Sequence, residues 1–416
     1  MKKMNKILYV IACILLLTLC GCYIYAGDGN TTGNQNGSDI NNVITNEITN
    51  KVVNIESITI EDLNTALTTA IEKVEQSVIG VTLKKKTIVG GIGNQTTSED
   101  AVQFGSGVIY KVEEVKNEQG TIVNFRYYVI TNRHVVLADE DGSYQLYAYL
   151  GYDDVEVKAN LLGYDEKVDV ACFTFEYSKY IQPVEFADST ELKKGSIVFA
   201  MGNPHGYDFY GSATMGIISN TERYITSDTD GDGVNDFYCE YIQHDASINS
   251  GNSGGGLFTL DGKLVGINTL KLVDATIDNM GFAIPSNTVR IIVTEFIEQD
   301  KPIIRPKLGV TIISVKDMTP AVIEHNKLEN VPNIYNGETP YGFYVTNITA
   351  GSTMYGSGIE VADIILQIGD VKLTKLHVLS AKLNSLVDFQ VGDEVEVIYY
   401  DRSANEIKTT KVILKN

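Results

Sequence analysis

Basic residues are scarce in this chain of 416 residues, which has 33 Lys and Arg against 53 Asp and Glu and a formal net charge of −20. Proteins that bind nucleic acid depend on basic patches, so this balance argues against a nucleic-acid partner. It is also unfavourable beside anionic lipid, so charge alone would not hold the protein at a membrane. The length leaves room for two or three domains.

Long hydrophobic runs are missing beyond the N-terminus, where the apolar segment 7–19 follows three lysines. This order is typical of a secretory signal peptide, which we predict over residues 1–21. The next residues, Leu19-Cys20-Gly21-Cys22, resemble a bacterial lipobox, and the resemblance implies cleavage before Cys22 and lipidation of its thiol. The alternative is an uncleaved transmembrane anchor, for which a run of about 13 residues is short. Without residues 1–21 the net charge is about −23.

Cysteine is the next scarce residue. Beyond Cys22, only Cys172 and Cys239 follow in the chain. They could pair in an oxidising compartment. Because a domain of this size does not need a covalent link, we expect two buried free thiols instead.

The most informative motif is G-N-S-G-G, which places Ser253 among glycines. A serine is a poor nucleophile unless its surroundings activate it. Glycines let the backbone turn sharply, so the N–H groups of Gly251 and Ser253 are candidates for an oxyanion hole. The motif alone also fits the nucleophile elbow of an α/β-hydrolase.

The order of the remaining candidates along the chain separates these folds. Only five histidines are present, and His134 ends an apolar strand-like run, where an imidazole can project. Asp169 opens a short apolar strand and is the favoured carboxylate, whereas Asp165 is expected to close the preceding turn. An α/β-hydrolase needs the order Ser, Asp, His. The order His134, Asp169, Ser253 instead matches the two-barrel chymotrypsin arrangement.

At these residues the chain resembles a known family. The segments T-N-R-H-V-V, D-V-A-C-F and D-A-S-I-N-S-G-N-S-G-G are similar to the three catalytic blocks of the HtrA (Deg) serine proteases. Five further blocks follow the family's order: F-G-S-G-V-I at 104–109, A-M-G-N-P at 200–204, G-I-I-S at 216–219, V-G-I-N-T at 265–269 and G-F-A-I-P at 281–285. The resemblance implies a double β-barrel endopeptidase, often trimeric, that acts on unfolded or misfolded protein outside the cytoplasm.

Substrate preference is expected to depend on a pocket beside the nucleophile. In two-barrel proteases the residue six before the nucleophile tends to form the pocket floor, and here it is the uncharged Ser247. With Ile267 and Phe282 as expected walls, we predict a small or medium aliphatic residue before the cleaved bond. The chain departs from the family at Ser250 and Gly256, and both changes favour a more flexible activation loop.

The organisation along the chain follows from composition. Residues 22–58, rich in Asn, Gly, Thr and Ser, predict a flexible tether. Thr59 is a candidate N-cap for a helix that docks on the protease or on a neighbouring subunit. The protease domain is predicted over 59–300 with a closing helix near 289–297, and a Pro-containing linker follows. The fold class is therefore dominated by β-structure, a double barrel followed by a second domain over 301–416.

Residues 301–416 resemble a PDZ domain, an α+β fold of the kind HtrA proteases carry. The resemblance rests on L-G-V at 308–310, G-F-Y-V at 342–345 and V-A-D-I-I at 361–365. It implies a groove that takes C-terminal peptides as an added strand. The expected groove residues are Leu308, Gly309, Val310, Leu379 and Leu383, with a helix that continues through Leu386 and Val387. The alternative is a groove that is closed or holds the protein's own loops.

An acidic insertion has the pattern D-x-D-x-D-G-x-x-D at 228–236. Alternate carboxylates with glycine at the sixth position suit a calcium loop. The candidate ligands are Asp228, Asp230, Asp232 and Asp236, although the bidentate glutamate of an EF-hand is missing. A solvated acidic turn is the alternative. Calcium is the only cofactor that the sequence suggests, and catalysis by the predicted triad requires none.

Two rival functions remain. The first is a membrane-tethered quality-control endopeptidase, a homotrimer or higher oligomer regulated through its PDZ domain. The second is a chaperone or adaptor that holds misfolded chains with little cleavage. The set of His134, Asp169 and Ser253 favours the first, because a protein that only binds has no need of it.

Overall fold

The fold is known from a computed structural model, which describes residues 59–89, 96–137, 144–204, 206–227, 237–269, 279–328 and 341–416. The described residues from Ile60 to Asn416 form one compact unit. The cleavage site, the tether over 22–58 and the acidic insertion lie outside the described residues. No helix within the described ranges is long and apolar enough to cross a membrane.

The first barrel has six antiparallel strands that close in the order β1-β2-β3-β6-β5-β4. Strand β6 is buried over its first six residues because its two faces contact different cores. Val170 and Cys172 belong to a core cluster that contains residues of both barrels, and Ala171 and Phe173 belong to the interior of the first barrel. The strands are β1 (Val78–Val89), β2 (Thr96–Lys116), β3 (Ile122–Asn132), β4 (Tyr144–Leu150), β5 (Val155–Asp165) and β6 (Val170–Tyr177).

The second barrel follows in a sheet of order β11-β8-β9-β10-β13-β12-β7. Pairing of β11 with β12 closes six of these strands into a ring, and the short β7 adds in parallel to β12. The predicted double β-barrel is therefore confirmed. The strands are β7 (Glu185–Phe186), β8 (Ile197–Gly202), β9 (Ser212–Ser227), β10 (Phe237–His244), β11 (Gly256–Thr259), β12 (Lys263–Thr269) and β13 (Gly281–Pro285).

Three helical segments accompany the barrels. Helix α1 (Ile60–Val74) buries Ala70 and Val74 in the core shared by the barrels, so it docks on the barrels of its own chain. A one-turn helix α2 (Arg133–Val136) follows β3. The predicted closing helix is present as α3 (Ser286–Ile291), continued by a π-helical turn Ile292–Phe296 and a 3₁₀ turn Ile297–Gln299. Cys172 and Cys239 are free and buried, as the sequence predicts.

The C-terminal residues form a third sheet of order β14-β15-β16-β18-β19, with β17 paired to β16. Two helices accompany it, α4 (Pro320–His325) and α5 (Leu376–Ser385). The expectation that the second helix continues through Val387 is wrong, because Leu386 adopts a left-handed conformation (φ +61°) and ends it. The strands are β14 (Val310–Ser314), β15 (Phe343–Ile348), β16 (Ile364–Ile368), β17 (Val371–Lys372), β18 (Glu394–Asp401) and β19 (Glu406–Ile413).

Candidate active site

His134 and Asp169 lie side by side between the ends of β3 and β6. The Nδ1 atom of His134 is 2.6 Å from Oδ2 of Asp169, and the backbone N–H of His134 donates to Oδ1 at 2.9 Å. The carboxylate is 5% exposed and the imidazole 23% exposed. One carboxylate therefore holds both the ring and the backbone of His134, and the second ring nitrogen remains for another partner.

Asp169 has a left-handed backbone (φ +59°), which is unusual for a residue with a side chain. Its carbonyl oxygen accepts from the Asn132 side-chain amide at 3.0 Å and from the Arg133 N–H at 3.1 Å. On the other side, Oδ1 of Asp165 accepts from the N–H groups of Lys167 and Val168. Asp165 therefore closes the preceding turn, as the sequence predicts, and the surroundings fix the strained conformation of Asp169.

Ser253 follows a tight turn at the seam between the barrels. Asn252 N–H donates to Asn249 O at 3.0 Å, and Gly251 at the third position of this turn has φ +99°. A positive φ there defines a type II turn, in which the N–H of Gly251 takes no part in the closing bond. Ser253 is 6% exposed, and its carbonyl accepts from Ser106 N–H at 2.8 Å, which fixes the segment that contains Ser253 to the first barrel.

Ser106 contacts the turn before Ser253, a contact that the sequence does not predict. Its buried hydroxyl donates to Gly251 O at 2.6 Å and accepts from the backbone N–H of Asn203 at 2.8 Å. Its carbonyl accepts from the Thr131 hydroxyl at 2.7 Å. Ser106 therefore connects the turn before Ser253 to both barrels. The F-G-S-G and A-M-G-N-P blocks were the available signal, but neither reveals the contact.

The three expected pocket residues differ in exposure. Ser247 is exposed, and its carbonyl accepts from the Thr214 hydroxyl at 2.9 Å. Ile267 is fully buried and Phe282 is 4% exposed, both in the core shared by the barrels, where Phe282 contacts Tyr241 edge to face. Their assignment to the pocket walls stays a prediction, and in this structure both apolar side chains pack into the core.

The other histidines of the described ranges take no part in these contacts. His244 is fully buried at the end of β10, and burial lowers its pKa to about 4, so its ring is neutral at neutral pH. His377 on α5 stacks on Tyr238 with ring centroids 5.4 Å apart. His205 lies outside the described residues.

Four of the five residues expected to form a peptide groove contact one hydrophobic cluster of the C-terminal residues. Leu308, Val310, Leu379 and Leu383 belong to or pack against one hydrophobic cluster. Strand β14 is at the edge of the sheet, and Gly309 before it has φ +69°. The N–H of Lys307, two residues before Gly309, donates to Lys415 O at 2.7 Å.

The two remaining expectations concern residues whose structure is not described. Cys22 and the acidic residues Asp228, Asp230, Asp232 and Asp236 lie outside the described ranges. Within those ranges, no group of three or more His, Cys, Asp or Glu side chains could hold a metal ion.

Comparison of the sequence with known proteins identifies the family. A trypsin-like peptidase domain model matches residues 105–267, a range that contains His134, Asp169 and Ser253. The serine protease Do-like HtrA of Bacillus subtilis (strain 168) is 32% identical over 332 residues, 79% of this chain and 68% of the relative. The chain belongs to the HtrA family of serine proteases. A second HtrA, of Lactococcus lactis subsp. lactis (strain IL1403), is 33% identical over 371 residues, 84% of each chain.

Solved structures of serine proteases share the fold. The HtrA-type protease AlgW with decapeptide has a TM-score of 0.57 at 23% identity and covers 84% of this chain and 98% of its own. The serine endoprotease from Yersinia pestis has a TM-score of 0.50 at 21% identity over 84% of this chain and 97% of its own. From its family, this chain is a serine endopeptidase that cleaves protein or peptide substrates and needs no cofactor.

Proposed function

We propose that this HtrA protein is a membrane-tethered, extracytoplasmic endopeptidase that degrades unfolded proteins through His134, Asp169 and Ser253. The observation that carries the proposal is the 2.6 Å contact of His134 Nδ1 with the buried Asp169 carboxylate. Such a pair orients an imidazole as the general base for a serine. The nucleophile assigned to it is Ser253, within the matched peptidase domain.

The reaction follows from these roles. His134 Nε2 takes the hydroxyl proton of Ser253 as the serine oxygen attacks the peptide carbonyl. Asp169 keeps the Nδ1–H tautomer and stabilises the imidazolium that forms. The N–H groups of Gly251 and Ser253 stabilise the tetrahedral oxyanion; loss of one such donor typically costs about 3–4 kcal/mol. His134 then protonates the leaving amine, and water hydrolyses the acyl-enzyme.

Ser106 supports the oxyanion turn in this proposal. Ser106→Ala removes the hydrogen bond to Gly251 O and leaves the buried N–H of Asn203 without its acceptor. We expect kcat to fall about 10- to 100-fold with little change in KM, because the turn loses a support that acts on the transition state. Steady-state kinetics on a short fluorogenic peptide measure the effect. Ser98→Ala, in the same strand, is the control, and equal kinetics for the two variants would exclude this role.

The cellular setting rests on the sequence and on the relatives. Relatives in Rickettsia are named probable periplasmic serine endoproteases, which supports a location outside the cytoplasm. Lipidation of Cys22 would supply the membrane anchor that the negative charge cannot. The C-terminal sheet would act as a PDZ domain that takes C-terminal peptides beside the edge strand β14. Assembly into a homotrimer or higher oligomer is part of the same proposal.

Cleavage of β-casein, an unfolded protein, tests the proposed function. The chain from residue 50 to 416 is compared with Ser253→Ala and with a folded protein as second substrate. We expect the unfolded substrate alone to be cleaved, and Ser253→Ala to be inactive. Persistent cleavage by Ser253→Ala would assign the reaction to another nucleophile. Binding of casein without cleavage by the unmodified chain would favour the chaperone alternative.

Calcium binding by the acidic insertion stays a prediction from the sequence. The insertion connects β9 to β10, so an ion at Asp228, Asp230, Asp232 and Asp236 would order a hairpin of the second barrel. Isothermal titration calorimetry should give heat of binding at calcium concentrations up to millimolar. The matched control replaces these four aspartates with asparagine. Absence of heat in the unmodified protein would exclude the site.

A further inference from the structure

One buried ion pair joins the segment before the C-terminal sheet to the catalytic side of the first barrel. Nη2 of Arg305 lies 2.6 Å from Oδ2 of Asp165, with side chains 8% and 1% exposed. The two residues are separated by 140 positions in the chain. An ion pair on the surface contributes little to stability. A buried ion pair constrains both residues, because removal of one side chain leaves the charge of the other without compensation.

Asp165 uses its other oxygen to build the turn that leads to Asp169. Oδ1 accepts from Lys167 N–H at 2.8 Å and from Val168 N–H at 3.2 Å. The Cys239 thiol donates to the Lys167 carbonyl at 2.9 Å. The residue that follows this turn is Asp169, in its left-handed conformation. A conformation of this kind persists only where neighbouring contacts enforce it, and the Asp165 carboxylate supplies contacts on the N-terminal side.

Arg305 also contacts helix α5. Its Nε donates to the Asn384 carbonyl at 2.9 Å, and the Asn384 side-chain amide donates to Tyr238 O on β10 at 2.9 Å. The guanidinium thus binds the C-terminal part of α5 with one edge and the Asp165 carboxylate with another, a use of several fixed donors that suits arginine. The positive charge of Arg305 also affects Lys167 in this turn. Burial lowers the pKa of Lys167, and the nearby guanidinium lowers it further.

We propose that Arg305 is a positioning residue for proteolysis, which holds the turn of residues 165–168 so that Asp169 keeps its carboxylate on His134. The proposal rests on the assignment of His134, Asp169 and Ser253 as the triad. The same guanidinium also binds Asn384 O on α5 at 2.9 Å. Arg305 acts through Asp165 and does not contact the reacting atoms.

The test measures kcat and KM separately on a short fluorogenic peptide, with the full-length protein in detergent. We expect Arg305→Gln to lower kcat at least tenfold and to change KM by less than about twofold, because the alignment of the base matters in the transition state. Asp165→Asn keeps the shape of the side chain and should lower kcat similarly. The double variant should be no slower than the slower single variant, since both act on one contact.

Lys382→Met is the matched control. Lys382 on α5 binds Glu240 on β10 at 3.0 Å and Asp388 at 3.3 Å, so its replacement removes a neighbouring ion pair and leaves the contacts of Arg305 with Asp165 and Asn384 in place. We expect its kcat to stay close to that of the unmodified protein. Arg305→Lys, which keeps the charge but has fewer donors, should recover part of the kcat lost in Arg305→Gln.

Three results would overturn the proposal. They are an unchanged kcat in Arg305→Gln, an equal fall of kcat in Lys382→Met, and multiplicative losses in the double variant. If Arg305→Gln does not fold, as judged by circular dichroism, Asp165→Asn decides, and an unchanged kcat there overturns the proposal. Failure of the proposed function is distinct, because the unmodified protein would then be no more active than Ser253→Ala.

Discussion

Asp169→Asn should lower kcat about 10⁴-fold, because the asparagine amide favours the wrong tautomer of His134 and no longer stabilises the imidazolium. Two hydrogen bonds from His134, one from its ring and one from its backbone, hold this carboxylate, so the side chain at position 169 has little freedom to adopt another orientation. KM on a short peptide should change little, because the carboxylate is 5% exposed and the effect falls on the transition state. Steady-state kinetics near neutral pH measure both constants.

The matched control for this variant is Glu166→Gln. Glu166 is an exposed carboxylate three residues earlier, in the turn between Asp165 and Asp169. Its replacement removes the same charge from the same turn, so kcat should stay within about twofold, as for most surface substitutions. A similar loss of kcat in both variants would mean that the negative charge of the turn, rather than the contact with His134, supports the reaction.

Gly254→Ala should destabilise the protease strongly and abolish cleavage. Gly254 has φ +82°, and a Cβ there would overlap the Ser106 carbonyl oxygen and the Thr131 hydroxyl, two atoms of the first barrel. The left-handed backbone and the overpacking together should lower the free energy of unfolding by about 2–5 kcal/mol. The change also displaces Ser253, the preceding residue. Urea unfolding followed by circular dichroism measures stability as the midpoint concentration.

Gly120→Ala separates the two causes. Gly120 has a similar φ of +79°, but nothing lies within 4 Å of the position of an added Cβ. Its replacement should therefore lower the free energy of unfolding only by the cost of a left-handed backbone, about 1–2 kcal/mol, and leave cleavage intact. If Gly254→Ala shifted the urea midpoint no further than Gly120→Ala, the close approach of Gly254 to Ser106 and Thr131 would not contribute to the loss of stability.

The parts of the fold that local patterns specify could be predicted. Helix α1 begins at Ile60 after the candidate cap Thr59 and buries Ala70 and Val74, in line with its helical spacing. His134 and Asp169 could be found because each ends or precedes a strand with a recognisable apolar pattern. The order of residues along the chain excluded the α/β-hydrolase fold, and the double barrel is present.

The contacts that could not be predicted join residues far apart in sequence. Ser106 reads as one position of a strand, and its hydrogen bond to Gly251 O spans 145 positions. Arg305 belongs to a linker in sequence, and its hydrogen bonds to Asn384 O and Asp165 span 79 and 140 positions. Ile267 and Phe282 were assigned to pocket walls from their sequence positions, although they pack into the core. Spacing indicates which residues share a strand, but it does not indicate which core a strand face meets.

The central claim is that Ser253 is the nucleophile and that His134 activates it. Reaction with a fluorophosphonate, followed by mass spectrometry of the digested protein, tests both parts at once. The account predicts one adduct, on Ser253, that forms in the folded protein and is lost in His134→Ala and in urea. An adduct on another residue, or labelling of Ser253 at the same rate in His134→Ala, would contradict it.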